Sequence, residues 1–592
     1  MTVKCREESH LRCLLCVGSE IQRAENTEPQ HMPESSTSNL RVLVIEVTTV
    51  ISLSLLLFFY GLGNFGLAGA DEPRYAQIAR EMLRNNDFVT PTLHGNPWLE
   101  KPALYYWRAA AAFRTFGVHD WAARLPSATF ALALVVIIYF HMRRFRPGAQ
   151  FGAALITAAS AAIIGFSRGA STDMQLAAPF AFAMLGWYAW FETGKRFWLF
   201  DLYFFLAVGT LAKGPVAPGL AFFILLIFAA VRRDFRLVWK TFWRPGVVIY
   251  SAIVLPWYIA VQRANKEFFK IFFLQHNLER FATDLFQHRQ PFWYYVPVLI
   301  LSLMPWTVYG ITALVSAIKQ TWRDWRSSAP GQARESEQIG DSFPEFLVIW
   351  ALFPVLFFSF SQSKLPGYIL PAIPPCTILT ADYLHRRKRQ AMRIGLVFGH
   401  ALLTALLTAA VLLVPHLVLD PKSVPPADAL AYASAIGAAV FCFIFFLVRR
   451  RGQRMLLWTT IVPVAFGVFF LLHSSGRILG EAYSSRQVAA FIENIEQQHV
   501  PPQFRPIAVF QARRDVEYGL GFYLDEPVDR YERGEIPKSE HILVAREGEH
   551  AAIAKLLGPT RKFVSFGSPF RGMENPQHLE VLWVSSSDSL TR

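Results

Sequence analysis

Charge is scarce in this chain. Only 17% of its 592 residues are Asp, Glu, Lys or Arg, against about 25% in an ordinary globular protein, so much of its surface must face something other than water. Cysteine is scarcer: Cys5, Cys13, Cys16, Cys376 and Cys442 are too few and too scattered for a disulfide framework. The Cys13-Leu14-Leu15-Cys16 pair lacks the second pair a zinc site needs. Hydrophobic residues make up 53%, with 51 Phe and 16 Trp, which excludes a disordered or collagen-like chain. Basic residues outnumber acidic ones, 58 − 44 = +14. In a soluble protein that excess would suggest nucleic acid, so where the charges fall decides between nucleic acid and membrane.

Long uncharged windows are what the chain has in place of charge. They run over 47–70, 125–142, 147–167, 174–191, 214–231 and 245–262. Others cover 290–318, 346–363, 365–381, 394–419, 429–448 and 455–476. Nearly all reach the roughly 17–25 residues that a bilayer-spanning helix needs. A thirteenth window, 197–212, is interrupted by Asp201. Counting it, the basic clusters at Arg143, Lys195, Arg232, Lys319, Arg386 and Arg449 all fall on one side, with the N-terminus inside. Omitting it would throw the later clusters onto the wrong side. The basic excess therefore reads as membrane topology, and nucleic acid drops out as a partner.

The sequence thus predicts a mainly α, multi-pass membrane protein of about 13 transmembrane helices. Residues 1–41 form a polar cytoplasmic segment, 42–476 the membrane part, and 477–592 a small α/β domain outside the membrane. No cleavable signal peptide is evident, because the first long apolar run is a full span. In the tail, 485–498 and 549–557 read as helices, and 506–511, 541–547, 562–567 and 579–585 as strands. It carries no Gly-x-Gly-x-x-Gly and no Walker sequence, so a nucleotide cofactor has no evident home.

The remaining acids and bases cluster in the outer loops. The first loop, 71–120, opens Asp71-Glu72-Pro73-Arg74-Tyr75. Asp71 suits a helix N-cap, and Tyr75, Ile78, Ala79, Met82 and Leu83 recur at helical spacing, which predicts a helix lying flat with one face in the membrane. For Asp71 a plain cap and a functional carboxylate stay equally open. Glu100-Lys101 lies between Pro97 and Pro102 in a fixed, non-helical shape. The acid could ligate a cation and the ammonium grip a phosphate, or the two could be an interfacial ion pair. Asp173, just past the third span, suits either a site carboxylate or ordinary interfacial solvation.

The order Asp-Glu-Pro-Arg-Tyr, Glu100-Lys101-Pro102 before Tyr105-Tyr106-Trp107, then Ala123-Arg124-Leu125-Pro126, resembles one family. It is that of the membrane glycosyltransferases related to 4-amino-4-deoxy-L-arabinose transferase and protein O-mannosyltransferases, with the GT-C fold. Similar motifs follow at Ser171-Thr172-Asp173, Lys213-Gly214-Pro215, His276-Asn277-Leu278-Glu279-Arg280, Pro291-Phe292-Trp293 and Lys364-Leu365-Pro366-Gly367-Tyr368. The resemblance covers roughly residues 42–590. It implies an enzyme of the bacterial inner membrane, working at the periplasmic face, that takes a sugar from a polyprenyl phosphate. The acceptor would be lipid A, another envelope glycan or lipid, or protein Ser/Thr. Within it, Lys101 and Arg280, then Arg74, Lys364 and Tyr368, are expected on the donor phosphate. Asp71 and Asp173 are the expected catalytic carboxylates, and Glu100 with His276 the implied holders of a divalent metal ion, with His288 a rival for that place. A lipid-linked sugar transporter or flippase is the alternative of another class. The long uncharged spans and the absence of a repeated half count against it.

Overall fold

The computed structural model describes residues 34–279, 281, 289–327, 342–387, 393–419, 425–474, 476–499, 505–570 and 577–586. Its contacts divide the chain into residues 1–49 and 50–592, and the elements that carry the site all belong to the second unit. Among the described residues, seven helices are long and apolar enough to cross a membrane. They include Leu40–Phe58, the greater part of α1 (Glu34–Phe58), together with α4 (Asp120–Phe145) and α11 (Arg244–Ala264). Ser342–Ser359, Ile394–Leu417, Ala427–Arg451 and Met455–His473 complete the set.

Two more of the expected windows are bent pairs. Gln150–Ala158 (α5) and Ala161–Ser167 (α6) meet at 60°, and Phe292–Ser302 and Thr307–Arg326 at 119°, so the count is nine if each pair crosses once. The two breaks meet: the Ala161 N–H, freed by extended backbone at Ser160, donates to the Met304 carbonyl at 2.9 Å. A break in apolar surroundings must satisfy its backbone groups somewhere, and here each pair serves the other.

The remaining four windows are helical as well, at Asp173–Thr193 (α7), Phe197–Lys213 (α8), Val216–Val231 (α9) and Ile373–Arg386. None of these is apolar and long enough alone to meet the same test. Burial explains part of this, since α7 is enclosed by protein from Met174 to Trp190 and needs no lipid-facing composition. Asp201, which interrupts the fifth window, sits where α8 comes closest to α7. A Cβ on Gly186 would meet the Asp201 Cβ at 2.5 Å.

The first loop folds as α2 (Asp71–Asn85), a two-stranded hairpin of β1 (Thr92–Leu93) and β2 (Asn96–Pro97), and α3 (Leu104–Phe116). At the hairpin turn His94 and Gly95 both have positive φ, 50° and 78°, the backbone a type I′ turn demands. Buried Glu81 pins this turn by accepting the His94 N–H at 2.7 Å, the Gly95 N–H at 3.1 Å and the Thr92 hydroxyl at 2.8 Å. Two expectations for α2 are corrected. Ala70, not Asp71, is the N-cap residue, and no side chain caps the helix; Asp71 lies inside the first turn with its carboxylate on Arg74. The apolar face of α2 is turned into protein rather than lipid. Tyr75, Ile78, Ala79 and Met82 are buried in one cluster with Tyr105, Tyr106, Phe113, Tyr518 and Phe522. Burial of each large side chain there contributes about 1.5–3 kcal/mol, enough to fix the helix without a membrane surface.

The C-terminal stretch holds a five-stranded mixed sheet. β3 (Ile507–Phe510) pairs in parallel with β4 (Val528–Arg530) and β5 (His541–Arg546). β7 (Leu579–Val584) runs antiparallel between β5 and β6 (Phe563–Gly567). The four expected strands and the helices Arg486–His499 and His550–Leu557 are present. Helix Arg514–Tyr523 and β4 were not foreseen. The helix is the crossover that parallel pairing of β3 with β4 requires.

Candidate active site

The Asp71-Glu72 pair divides its labour. Glu72 is structural: it holds Arg124 through Nη2 at 2.6 Å and Nε at 3.3 Å, and accepts the Ala68 N–H at 2.8 Å and the Ala170 N–H at 2.7 Å. Arg124, 1% exposed, spends its other protons on the carbonyls of Leu62, Phe65 and Gly66 at 2.7–2.9 Å. This one ion pair therefore joins the stretch between α1 and α2, the start of α2, α4 and the turn before α7. The adjoining Asp71 carboxylate is left 60% exposed and pairs, among the described residues, with Arg74. A carboxylate held at one edge and open at the other is available for chemistry.

Three carboxylates from separate segments converge. Asp71, Glu100 and Asp173 all act electrostatically on the buried Tyr75 hydroxyl; with burial first and Asp71 next, they hold its pKa well above the ordinary tyrosine range. Arg74 lies among them. Burial opposes its charge, but Tyr75, Asp71, Glu100 and Tyr518 outweigh that and keep its pKa above the usual arginine value. Asp173 opens α7 and pairs with Lys213 Nζ, at the end of α8. The Lys213 ammonium also sits 5.2 Å from the centroid of the Tyr368 ring. Tyr368 lies on the 3₁₀ turn Pro366–Ala372, which comes so close that a Cβ on Gly367 would meet the Asp173 Cγ at 2.7 Å. A side chain at 367 would have to displace the Asp173 carboxylate.

The hairpin delivers Glu100 to the other edge, where its Oε1 lies 3.8 Å from His276 Nε2. That spacing lets both contact one ion between them, although no group of three His, Cys, Asp or Glu side chains gathers among the described residues. A cation there would have two protein ligands and would take its other positions from bound oxygen. Lys101 follows Glu100 and is half-buried. Lys364 points elsewhere: its ammonium donates to the carbonyls of Gln290, at 3.0 Å, and Ser361, and burial with nearby Arg289 lowers its pKa. Arg280 and His288 lie outside the described residues. Sequence reasoning quoted Lys213 within a motif but gave it no role. A lysine ending an otherwise apolar helix beside Gly214-Pro215 was the available signal.

The apolar helices and the fold define a multi-pass membrane protein. Residues 43–273 match the family model described as dolichyl-phosphate-mannose-protein mannosyltransferase. A relative from Pseudomonas paraeruginosa named undecaprenyl phosphate-alpha-4-amino-4-deoxy-L-arabinose arabinosyl transferase is 31% identical over 362 residues, 58% of this chain and 61% of its own length. The fold is that of ArnT from Cupriavidus metallidurans. Its apo crystal structure superposes with a TM-score of 0.71 at 23% identity, covering 92% of this chain and 99% of that one. The crystal structure of the same protein bound to undecaprenyl phosphate gives 0.70, again at 23% identity, over 91% and 97%. The aligned stretch thus spans about three-fifths of the curated relative's length.

Proposed function

We propose that the protein is a glycosyltransferase that moves a sugar from an undecaprenyl phosphate donor to an acceptor of the bacterial cell envelope, at the periplasmic face of the inner membrane. The observation that carries this reading is the grouping of the Asp71–Arg74 and Asp173–Lys213 pairs, at the ends of α2, α7 and α8, with Glu100 near the buried Tyr75. The relatives' names favour 4-amino-4-deoxy-L-arabinose as the sugar, and lipid A is the acceptor proposed with it. The mannosyltransferase family model favours a second reading, transfer of a hexose to protein Ser or Thr.

In the transfer an acceptor oxygen bonds to the anomeric carbon while the bond from that carbon to the donor phosphate breaks. The polyprenyl phosphate leaves with the electron pair, and its growing negative charge needs cations. Lys101, half-buried next to Glu100, supplies one as a compact point charge, and Arg280 is a further candidate. If the acceptor is a hydroxyl, Asp71 takes its proton. If it is a phosphate, no base is needed and Asp71 stabilises cationic character on the sugar. Asp173, neutralised by Lys213 beside Tyr368, is suited to holding the sugar rather than to accepting a proton. Glu100 and His276 would hold a divalent ion that draws charge from the phosphate oxygens.

Replacing Lys101 with alanine removes a charge that matters most as the phosphate departs. Transfer should fall by about 10²-fold while the melting temperature in detergent stays near wild type. Near-normal transfer by a folded Lys101→Ala protein would take Lys101 out of the site. The orientation has its own check. Thirteen spans leave the basic loops at Arg143, Arg232, Lys319, Arg386 and Arg449 in the cytoplasm and 477–592 outside. Cysteines introduced near the C-terminus should react with an impermeant maleimide in intact spheroplasts; labelling only after lysis would overturn that orientation.

A further inference from the structure

We propose that the C-terminal α/β region is part of the catalytic machinery, because its Tyr518 closes an aromatic box around Arg74 and, through Arg74, holds Asp71 in place. This rests on the reading that Asp71 and Arg74 serve the transfer. The Arg74 guanidinium carbon lies 5.3 Å from the Tyr75 ring centroid, 5.0 Å from that of Trp98 and 5.2 Å from that of Tyr518. All three are within the roughly 6 Å over which a ring face attracts a cation. They come from three places: α2 itself, the residue after the hairpin and the helix Arg514–Tyr523.

Hydrogen bonds alone do not orient this guanidinium. One terminal nitrogen pairs with Asp71, while Nε is buried and has no hydrogen-bond partner among the described residues. The ring faces therefore set where Arg74 points, and that sets where the Asp71 carboxylate rests. Tyr518 is in turn fixed by its own helix and by the clamp between that helix and α2. Arg514 donates to its hydroxyl at 3.2 Å. Arg80 donates to the Phe522 carbonyl at 2.8 Å, Gln77 and Arg84 each reach Asp525 at 3.0 Å, and the Leu67 N–H donates to the Tyr523 hydroxyl at 2.6 Å. These bonds cross more than 400 residues of sequence and land on both sides of the box. A region that merely decorated the membrane part would have no reason to place a buried ring (Tyr518 is 8% exposed) on the site's arginine.

Tyr518 is a positioning residue, so the test separates position from folding. Transfer kinetics are measured on full-length wild type, Tyr518→Leu, Tyr518→Phe, Arg74→Gln and the Tyr518→Leu/Arg74→Gln pair, with melting temperatures on the same preparations. Tyr518→Leu should lower kcat about tenfold with donor KM changed less than about twofold. Tyr518→Phe should restore kcat, because the ring face and not the hydroxyl meets the guanidinium. In the Arg74→Gln background, where there is no cation to hold, Tyr518→Leu should cost less than about twofold more. If leucine lowers the melting temperature, Tyr518→Met keeps the volume without a ring and should give the same losses. Full kcat in Tyr518→Leu while Arg74→Gln is impaired, or losses that simply multiply in the pair, would overturn the positioning role. Near-normal turnover by Arg74→Gln and Asp71→Asn would instead overturn the site reading on which it rests.

Discussion

Asp71→Asn should leave a folded, membrane-inserted protein that binds donor and transfers almost no sugar. The cap explanation for this aspartate has lost its basis, since Ala70 is the cap residue and no side chain caps α2. What Asp71 contacts is Arg74, and the rest of its carboxylate faces outward, 60% exposed. Asparagine keeps the shape and can still accept a hydrogen bond from Arg74, but it carries no negative charge and is no base. Loss of a base or of a charge at the reacting carbon corresponds to about 10²–10⁴-fold in rate, while the melting temperature should move little. Transfer is measured from undecaprenyl-phosphate-linked aminoarabinose in liposomes. Wild-type rates in Asp71→Asn would remove the carboxylate from the chemistry.

The opposite pattern is expected one residue along. Arg124→Met should be the most destabilising single change in this region, because it strands the 13%-exposed Glu72 carboxylate and leaves three carbonyls without donors. Breaking one side of a buried ion pair costs about 3–5 kcal/mol, to which the orphaned carbonyls add. Glu72→Gln should cost less, since the amide can still accept from Ala68 and Ala170. Thermal unfolding in detergent separates the two, and an unshifted midpoint in Arg124→Met would remove the structural role given to this pair. Adjacent acids in one motif thus predict opposite phenotypes, one in turnover and one in stability.

Much of this was legible in the sequence because it rests on local signals. Uncharged windows mark helices whether or not each crosses a bilayer alone, so each of the thirteen windows contains a helix, while among the described residues seven helices meet the strict length and apolarity test. Four of the five strands of 507–584 were legible as apolar, β-branched runs. What failed to show was whatever depended on partners. The apolar stripe of α2 was assigned to lipid because its period says only that it is buried, not by what. Gly214-Pro215 mark Lys213 as a helix end and no more; its meaning comes from Asp173, 40 residues earlier, and from Tyr368. Helix Arg514–Tyr523 escaped notice because its two glycines and mixed polarity weaken the helical pattern. Glu72 and Asp71 look alike in sequence and differ only in what surrounds them.

The clamp between α2 and the last part of the chain also sets an order of assembly. Tyr518 follows Arg74 by 518 − 74 = 444 residues, which at typical synthesis rates is about 20–90 s of translation. During that interval the membrane helices can already be in place while the arginine box stands open on one side. A nascent or truncated chain ending before residue 514 would be inserted yet incomplete. The membrane would then hold an inactive precursor until the final residues arrive, so the timing of activity belongs to the end of synthesis rather than to insertion.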